Sequence, residues 1–207
     1  MSARSRRAAA RRTSPRSFLI WGSAALLVCL VLFAVATSRR SVDNASSQAP
    51  LVSFISTGDR APDFSVNTDR GAFTLVDAHQ PVLLELFATW CPHCQRETVV
   101  MNRLYAKYSA RVAFVAVTAS PYGSDGQAPE TARDVLAFAQ AFRVRYPVAF
   151  DPSLSVARGY LQGGYPTIAI ISQGRVRYLT SGEIPFQILD TTLRRVLTAS
   201  TQERLHR

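Results

Sequence analysis

Cysteine is scarce in this chain of 207 residues: it occurs at 29, 91 and 94, and only Cys91 and Cys94 lie in sequence able to form a globular domain. A scaffold stapled by several disulfides is therefore excluded, and a Cys91–Cys94 bridge closes too short a loop to restrain the unfolded chain much. A pair at this spacing is usually redox-active or metal-binding. Histidine is equally rare, at 79, 93 and 206. A tetrahedral zinc site needs four ligands, and the domain offers no third cysteine; no metal and no cofactor is expected. Acidic residues are missing from the first 40 positions, which hold eight arginines, whereas the rest of the chain holds sixteen basic and fourteen acidic groups. The formal charge of +10 thus sits almost wholly on the N-terminal arm, and nucleic-acid recognition by the folded part is not expected. No internal repeat is present.

Charge is also absent from Phe18 to Ala36, nineteen apolar and small residues bracketed by Arg16 and by Arg39-Arg40. At about 1.5 Å per residue such a helix spans roughly the ~30 Å hydrocarbon core of a bilayer. Six arginines precede it and two follow, so the positive-inside bias leaves the N-terminus in the cytoplasm. Ala34-Val35-Ala36 has the small-x-small form that a signal peptidase cleaves, but a cleavable apolar run is typically only ~7–15 residues, which favours a retained anchor. Cys29 lies inside this run and reads as an ordinary apolar membrane residue. The expected organisation is a cytoplasmic basic tail over residues 1–17, a transmembrane anchor over 18–37, a polar linker over 38–50, a domain over 51–199 and a C-terminal tail over 200–207. A single-pass protein of the cell membrane follows, with its domain extracytoplasmic, that is, periplasmic.

Within the domain, Pro81 to Phe87 (PVLLELF) is a nearly continuous apolar run, which marks a strand buried on both faces. Pro92 suits a first helical position, and Val100, Met101, Leu104, Tyr105 and Tyr108 follow at helical spacing. Val112 to Thr118 reads as a second buried strand, so the strand-helix-strand unit implies a right-handed parallel crossover. Arg133–Phe142 and Ser153–Leu161 read as helices and Pro147–Phe150 as a short strand. Thr167–Ile171 and Val176–Thr180 read as a hairpin, and Pro185–Leu197 as a closing helix.

Trp90-Cys91-Pro92-His93-Cys94, placed directly after a buried strand, resembles the active site of the thioredoxin superfamily. Gly58-Asp59-Arg60-Ala61-Pro62-Asp63-Phe64, Phe87-Ala88-Thr89-Trp90-Cys91, Tyr146-Pro147-Val148 with Asp151-Pro152, and Gly164-Tyr165-Pro166-Thr167 resemble the membrane-anchored TlpA/ResA-type members in the same order, over residues 58 to 198. The resemblance implies an α/β thioredoxin fold, a central mixed sheet flanked by helices, and protein thiol-disulfide exchange. Clients would be protein thiols and disulfides, with a membrane or periplasmic redox partner, and the chain would act as a monomer. The helix N-terminus offers unpaired N–H groups that favour a thiolate at Cys91, the attacking sulfur. Cys94, one turn on, is the buried partner that resolves the mixed disulfide.

By the same resemblance Glu85, the one acid in VLLELF, exchanges the proton of Cys94 as general acid and base, with burial raising its pKa toward the working pH. Pro166 corresponds to the family's cis-proline. By the same resemblance Pro166, Tyr165, Thr167, Trp90, Pro92 and His93 frame the place where a client docks. The Gly/Pro/Ser-rich segment Ser120–Pro129 follows a strand parallel to the one ending at Cys91, so it either flanks the site or is a neutral insertion. Two other functions compete: a tethered chaperone or binding module without redox turnover, and a peroxiredoxin-like redoxin. The latter needs a proline and a threonine where Leu84 and Ala88 stand. On direction the signals diverge. The body of the domain resembles reductants of cytochrome maturation, whereas Pro92-His93 resembles periplasmic disulfide donors, and an imidazolium beside the Cys91 thiolate favours the reduced form. The expectation is a potential above about −200 mV, in a superfamily range of about −270 to −120 mV.

Overall fold

A computed structural model describes residues 55–205. The basic tail, the apolar run with Cys29, the linker and the domain's first residues from Leu51 lie outside that range. No helix among the described residues is long and apolar enough to cross a membrane.

The described residues form strands β1 (Ser65–Thr68), β2 (Gly71–Thr74), β3 (Val82–Phe87), β4 (Ala113–Thr118), β5 (Val148–Ala149), β6 (Thr167–Ser172) and β7 (Arg175–Ser181). The helices are α1 (Pro92–Tyr108), α2 (Ala132–Ala141), α3 (Ser155–Tyr160) and α4 (Phe186–Leu205). One mixed sheet runs in the order β2-β1-β5-β4-β3-β6-β7. β3 and β4 are parallel, with Leu84 opposite Val115, and β6 runs antiparallel to β3, with Glu85 opposite Ile168.

The apolar run of β3 is buried at every position because both faces of the sheet are covered. Alternate residues part between two cores. Leu83 and Phe87 face Met101, Leu104, Tyr108, Phe138, Tyr146 and Leu189, whereas Leu84 and Leu86 face Val66, Val117, Val156 and Tyr160. Period 2 therefore sends Glu85 to the Leu83–Phe87 face, beneath α1.

Three features differ from the sequence reading. The hairpin β1–β2 was not expected, because its strands are four residues each and half exposed, without an apolar run. Its turn is local chemistry: Thr68 Oγ1 donates to the Gly71 carbonyl at 2.8 Å and accepts from Arg70 N at 3.0 Å. Asp69 Oδ1 then accepts from Val148 N at 2.9 Å, which ties the hairpin to β5. Secondly, α4 continues past Leu197 and past the expected tail boundary at 200, since Ala199 to Leu205 contains no glycine or proline to stop it. Ser200 is buried, with its Oγ 2.8 Å from Ser172 Oγ on β6. Thirdly, α2 begins one residue early, at a capping box in which Thr131 Oγ1 accepts from Asp134 N and Asp134 Oδ2 accepts from Thr131 N.

Candidate active site

Cys91 is the N-cap of α1, in extended conformation, with Pro92 in the first helical turn. Its own carbonyl accepts the first helical bond from Gln95 N at 3.1 Å. No side chain caps the helix, so the first-turn N–H groups and the positive end of the dipole are left to the Cys91 sulfur. Cys91 is 5% exposed and its thiol donates to the Tyr165 carbonyl at 3.8 Å. Cys94 lies one turn deeper with no exposed surface. Both cysteines are thiols in this structure. A residue that reaches the surface at the helix N-terminus and one with no exposed surface give the two cysteines different chemical access.

Beneath the pair lies a buried acid cluster. Glu85 is 2% exposed and accepts a hydrogen bond from the Tyr146 hydroxyl. Burial pushes its carboxyl up to about 8; the Tyr146 bond opposes this and the charge of Glu97 adds to it. Burial first, and then the Glu85 carboxyl, push the Cys94 thiol far up. Tyr146 is likewise held well above its ordinary value by burial and by Glu85.

Glu97 was missed in the sequence. It is buried on α1, its Oε2 accepts from Ile184 N at 3.0 Å, and its Oε1 has no hydrogen-bond partner among the described residues. Burial raises its carboxyl to about 7 against the pull of the Ile184 N–H. The available signal was helical spacing: Cys94, Glu97, Thr98 and Met101 share the buried face of α1. QRETVV nonetheless reads as solvated helix surface.

Around the rim, the structure brings the expected residues together. The Tyr165–Pro166 peptide is cis, and Pro166 is buried beside the pair. The Tyr165 ring stands edge-on to Trp90 at 5.9 Å, and its hydroxyl donates to the Ala119 carbonyl at 2.8 Å. Trp90, 37% exposed, donates from Nε1 to Ser120 Oγ at 2.9 Å. The segment after Ser120 therefore flanks the site on the Trp90 side, closed on itself by a bridge between Tyr122 and Pro129.

Two residues of the rim depart from expectation. Thr167 is fully buried, and its hydroxyl donates to the Gly164 carbonyl at 2.8 Å and accepts from Gln162 N at 3.2 Å. It holds the turn ahead of Pro166, whereas Trp90, Pro92 and His93 are exposed and Tyr165 is half-buried. His93 is exposed, but its Nδ1 lies 2.5 Å from Glu183 Oε1 and 2.9 Å from Arg96 Nη2. A charge on this imidazole is thus offset by a carboxylate, a partner absent from the reading of Pro92-His93 alone. Leu84 and Ala88, where a peroxide site needs proline and threonine, are both fully buried apolar residues.

A thiol at a helix N-terminus, a second thiol sealed behind it and an acid below are arranged as a dithiol-disulfide couple requires, and comparison with known proteins gives the family. Residues 56–193 match the Redoxin family. The chain is 33% identical over 121 residues to the thioredoxin-like protein YneN of Bacillus subtilis, which covers 58% of this chain and 67% of that protein. It is 30% identical over 173 residues to the thiol-disulfide oxidoreductase ResA of Oceanobacillus iheyensis, covering 80% and 81%. Among solved structures, a putative thiol:disulfide interchange protein DsbE from Chlorobium tepidum superposes with a TM-score of 0.60 at 29% identity, over 69% of this chain and 99% of that one. The chain therefore belongs to the Redoxin family, and within the thioredoxin superfamily it is a ResA-like thiol-disulfide oxidoreductase.

Proposed function

We propose that Cys91 and Cys94 are the redox centre of a membrane-anchored, extracytoplasmic oxidoreductase that exchanges disulfides with cysteines of client proteins, apocytochrome cysteines among them. The observation that carries this reading is the asymmetry of the pair: one sulfur at an uncapped helix N-terminus, the other sealed over Glu85.

In the reducing direction, the Cys91 thiolate attacks one sulfur of a client disulfide. The client S–S bond breaks, a mixed disulfide forms at Cys91, and the other client sulfur leaves as a thiolate. Cys94 then attacks Cys91 Sγ. Its proton passes to the ionised fraction of Glu85, the bond from Cys91 to the client breaks, and the second client thiolate departs. The client gains two electrons and the protein keeps a Cys91–Cys94 disulfide, which the membrane or periplasmic partner must reduce. The oxidising direction retraces these steps, with Glu85 returning the proton. A carboxyl near 8 is suited to both roles, because both of its forms are populated around neutral pH. Glu97 and Tyr146 complete the proton-holding cluster below Cys94.

The location rests on the uncharged run from Phe18 to Ala36 and on the arginines before it. Insulin reduction by the full-length chain tests the activity. Turnover that Cys91→Ser abolishes supports the assignment; no turnover by the unmodified chain, despite client binding, would make it a tethered binding module instead.

A further inference from the structure

The loop between β7 and α4 grips α1 at two successive residues. Gly182 N donates to the Pro166 carbonyl at 2.8 Å, which fixes the loop to the strand that carries the cis-proline. The next residue, Glu183, takes Arg96 from the solvent side: Arg96 Nε donates to Oε1 and Oε2 at 3.0 and 3.1 Å, and Nη2 to Oε1 at 2.5 Å. His93 Nδ1 meets the same carboxylate. Then Ile184 N donates to Glu97 on the buried side. Two basic side chains one turn apart on the active-site helix thus converge on a single carboxylate from another element.

We propose that Glu183 is a positioning residue that sets the oxidising strength of the Cys91/Cys94 pair by holding Arg96, one turn along the helix from the Cys91 sulfur, and partly neutralising its positive charge, with His93 as a third member of the cluster. The argument rests on Cys91 and Cys94 being the redox pair. Reduction creates a thiolate at Cys91, and oxidation removes that charge. Cations nearby therefore favour the reduced form, and an anion that offsets them favours the disulfide. The Arg96 guanidinium is held in its charged form first by its hydrogen bonds to Glu183 and, more weakly, by the Cys91 sulfur, so it lies within electrostatic reach of the reacting atom. The Glu183 carboxyl is held down to about 2, first by Arg96 and then by His93, and stays ionised at any pH at which the protein works. The cluster is exposed, so its influence on the sulfur is that of screened charges and amounts to a small factor.

The test is the reduction potential of the full-length chain in detergent, equilibrated against glutathione buffers at fixed pH and low salt. Glu183→Gln leaves the Arg96 guanidinium without its counter-charge and should favour the dithiol about threefold, an upward shift of ~14 mV at ~29.6 mV per tenfold. Arg96→Gln should shift the potential downward by a similar factor. The double variant restores the net charge and should return close to the wild-type value. High salt should shrink both single shifts. A purely structural clamp would lower the melting temperature of the single variants and leave their potentials where they were; that result, or two shifts of the same sign, overturns the proposal. Cys91→Ser assayed in parallel separates the two levels. If it still exchanges disulfides, the redox-pair reading itself fails; if it is inactive while Glu183→Gln leaves the potential unmoved, only the role of Glu183 falls.

Discussion

Replacing Glu85 with glutamine should flatten the dependence of stability on pH. The Glu85 carboxyl stands at about 8 in the fold against an ordinary 4.5. Between these two values the folded chain holds a proton that the unfolded chain releases, so stability falls as pH rises through that window. Below about 4.5 both states are protonated and the contribution is fully present; above about 8 both are ionised and the loss is complete. The slope is about 1.4 kcal/mol per pH unit, which makes the cost of this one carboxyl roughly 3 kcal/mol between pH 5 and pH 7. Glu97, raised to about 7, adds to the slope in the lower part of the same window and remains in the variant. Urea unfolding of the reduced full-length chain in detergent, followed by tryptophan fluorescence at a series of pH values, measures both curves. The wild type should lose stability more steeply than Glu85→Gln, and the variant should be the more stable of the two at about pH 8. In the same preparation, glutamine should slow resolution of the mixed disulfide on the order of 10²-fold, the low end for a positioned acid or base. Parallel stability curves would show that the Glu85 carboxyl is not held protonated and would refute the reasoning. An unchanged pH profile of exchange would remove Glu85 from the mechanism.

Other outcomes follow from the same geometry. Cys94→Ser should accumulate a mixed disulfide with clients on Cys91, visible as a reductant-sensitive adduct by mass spectrometry; an adduct on Cys94 in Cys91→Ser protein would reverse the two roles. His93→Pro should lower the potential, because it removes the imidazole from the dipeptide between the cysteines, and an unchanged potential would show that the surrounding groups outweigh Pro92-His93. Deleting residues 1–37 should move the protein from the membrane to the soluble fraction with exchange intact; an unchanged membrane fraction would mean that something other than the apolar run anchors it.

What was legible in the sequence is what local pattern encodes. The unbroken apolar run of β3 required a strand covered on both faces, and Glu85 stood out as its one acid, with a role implied by resemblance; that its face lies beneath the helix carrying the cysteines came from the structure. Pro92 after Cys91 marked a helix start and so put the first cysteine at the N-cap. Pro166 was identified by resemblance, and the structure brings it to the same place. The hairpin of Ser65 to Thr74 escaped notice because its two short, half-exposed strands carry no periodicity; its Asp69 carboxylate is held by the N–H of Val148 on β5, far away in sequence. Glu97 looked like helix surface, and only the packing of α1 against the sheet buried it. Tyr146 as a donor to Glu85, and Glu183 as the common partner of His93 and Arg96, were likewise decided by tertiary structure. Periodicity states which face of an element turns inward, but the electrostatics of a site depend on which groups from other elements arrive within a few ångströms, and those contacts exist only once the chain has closed on itself.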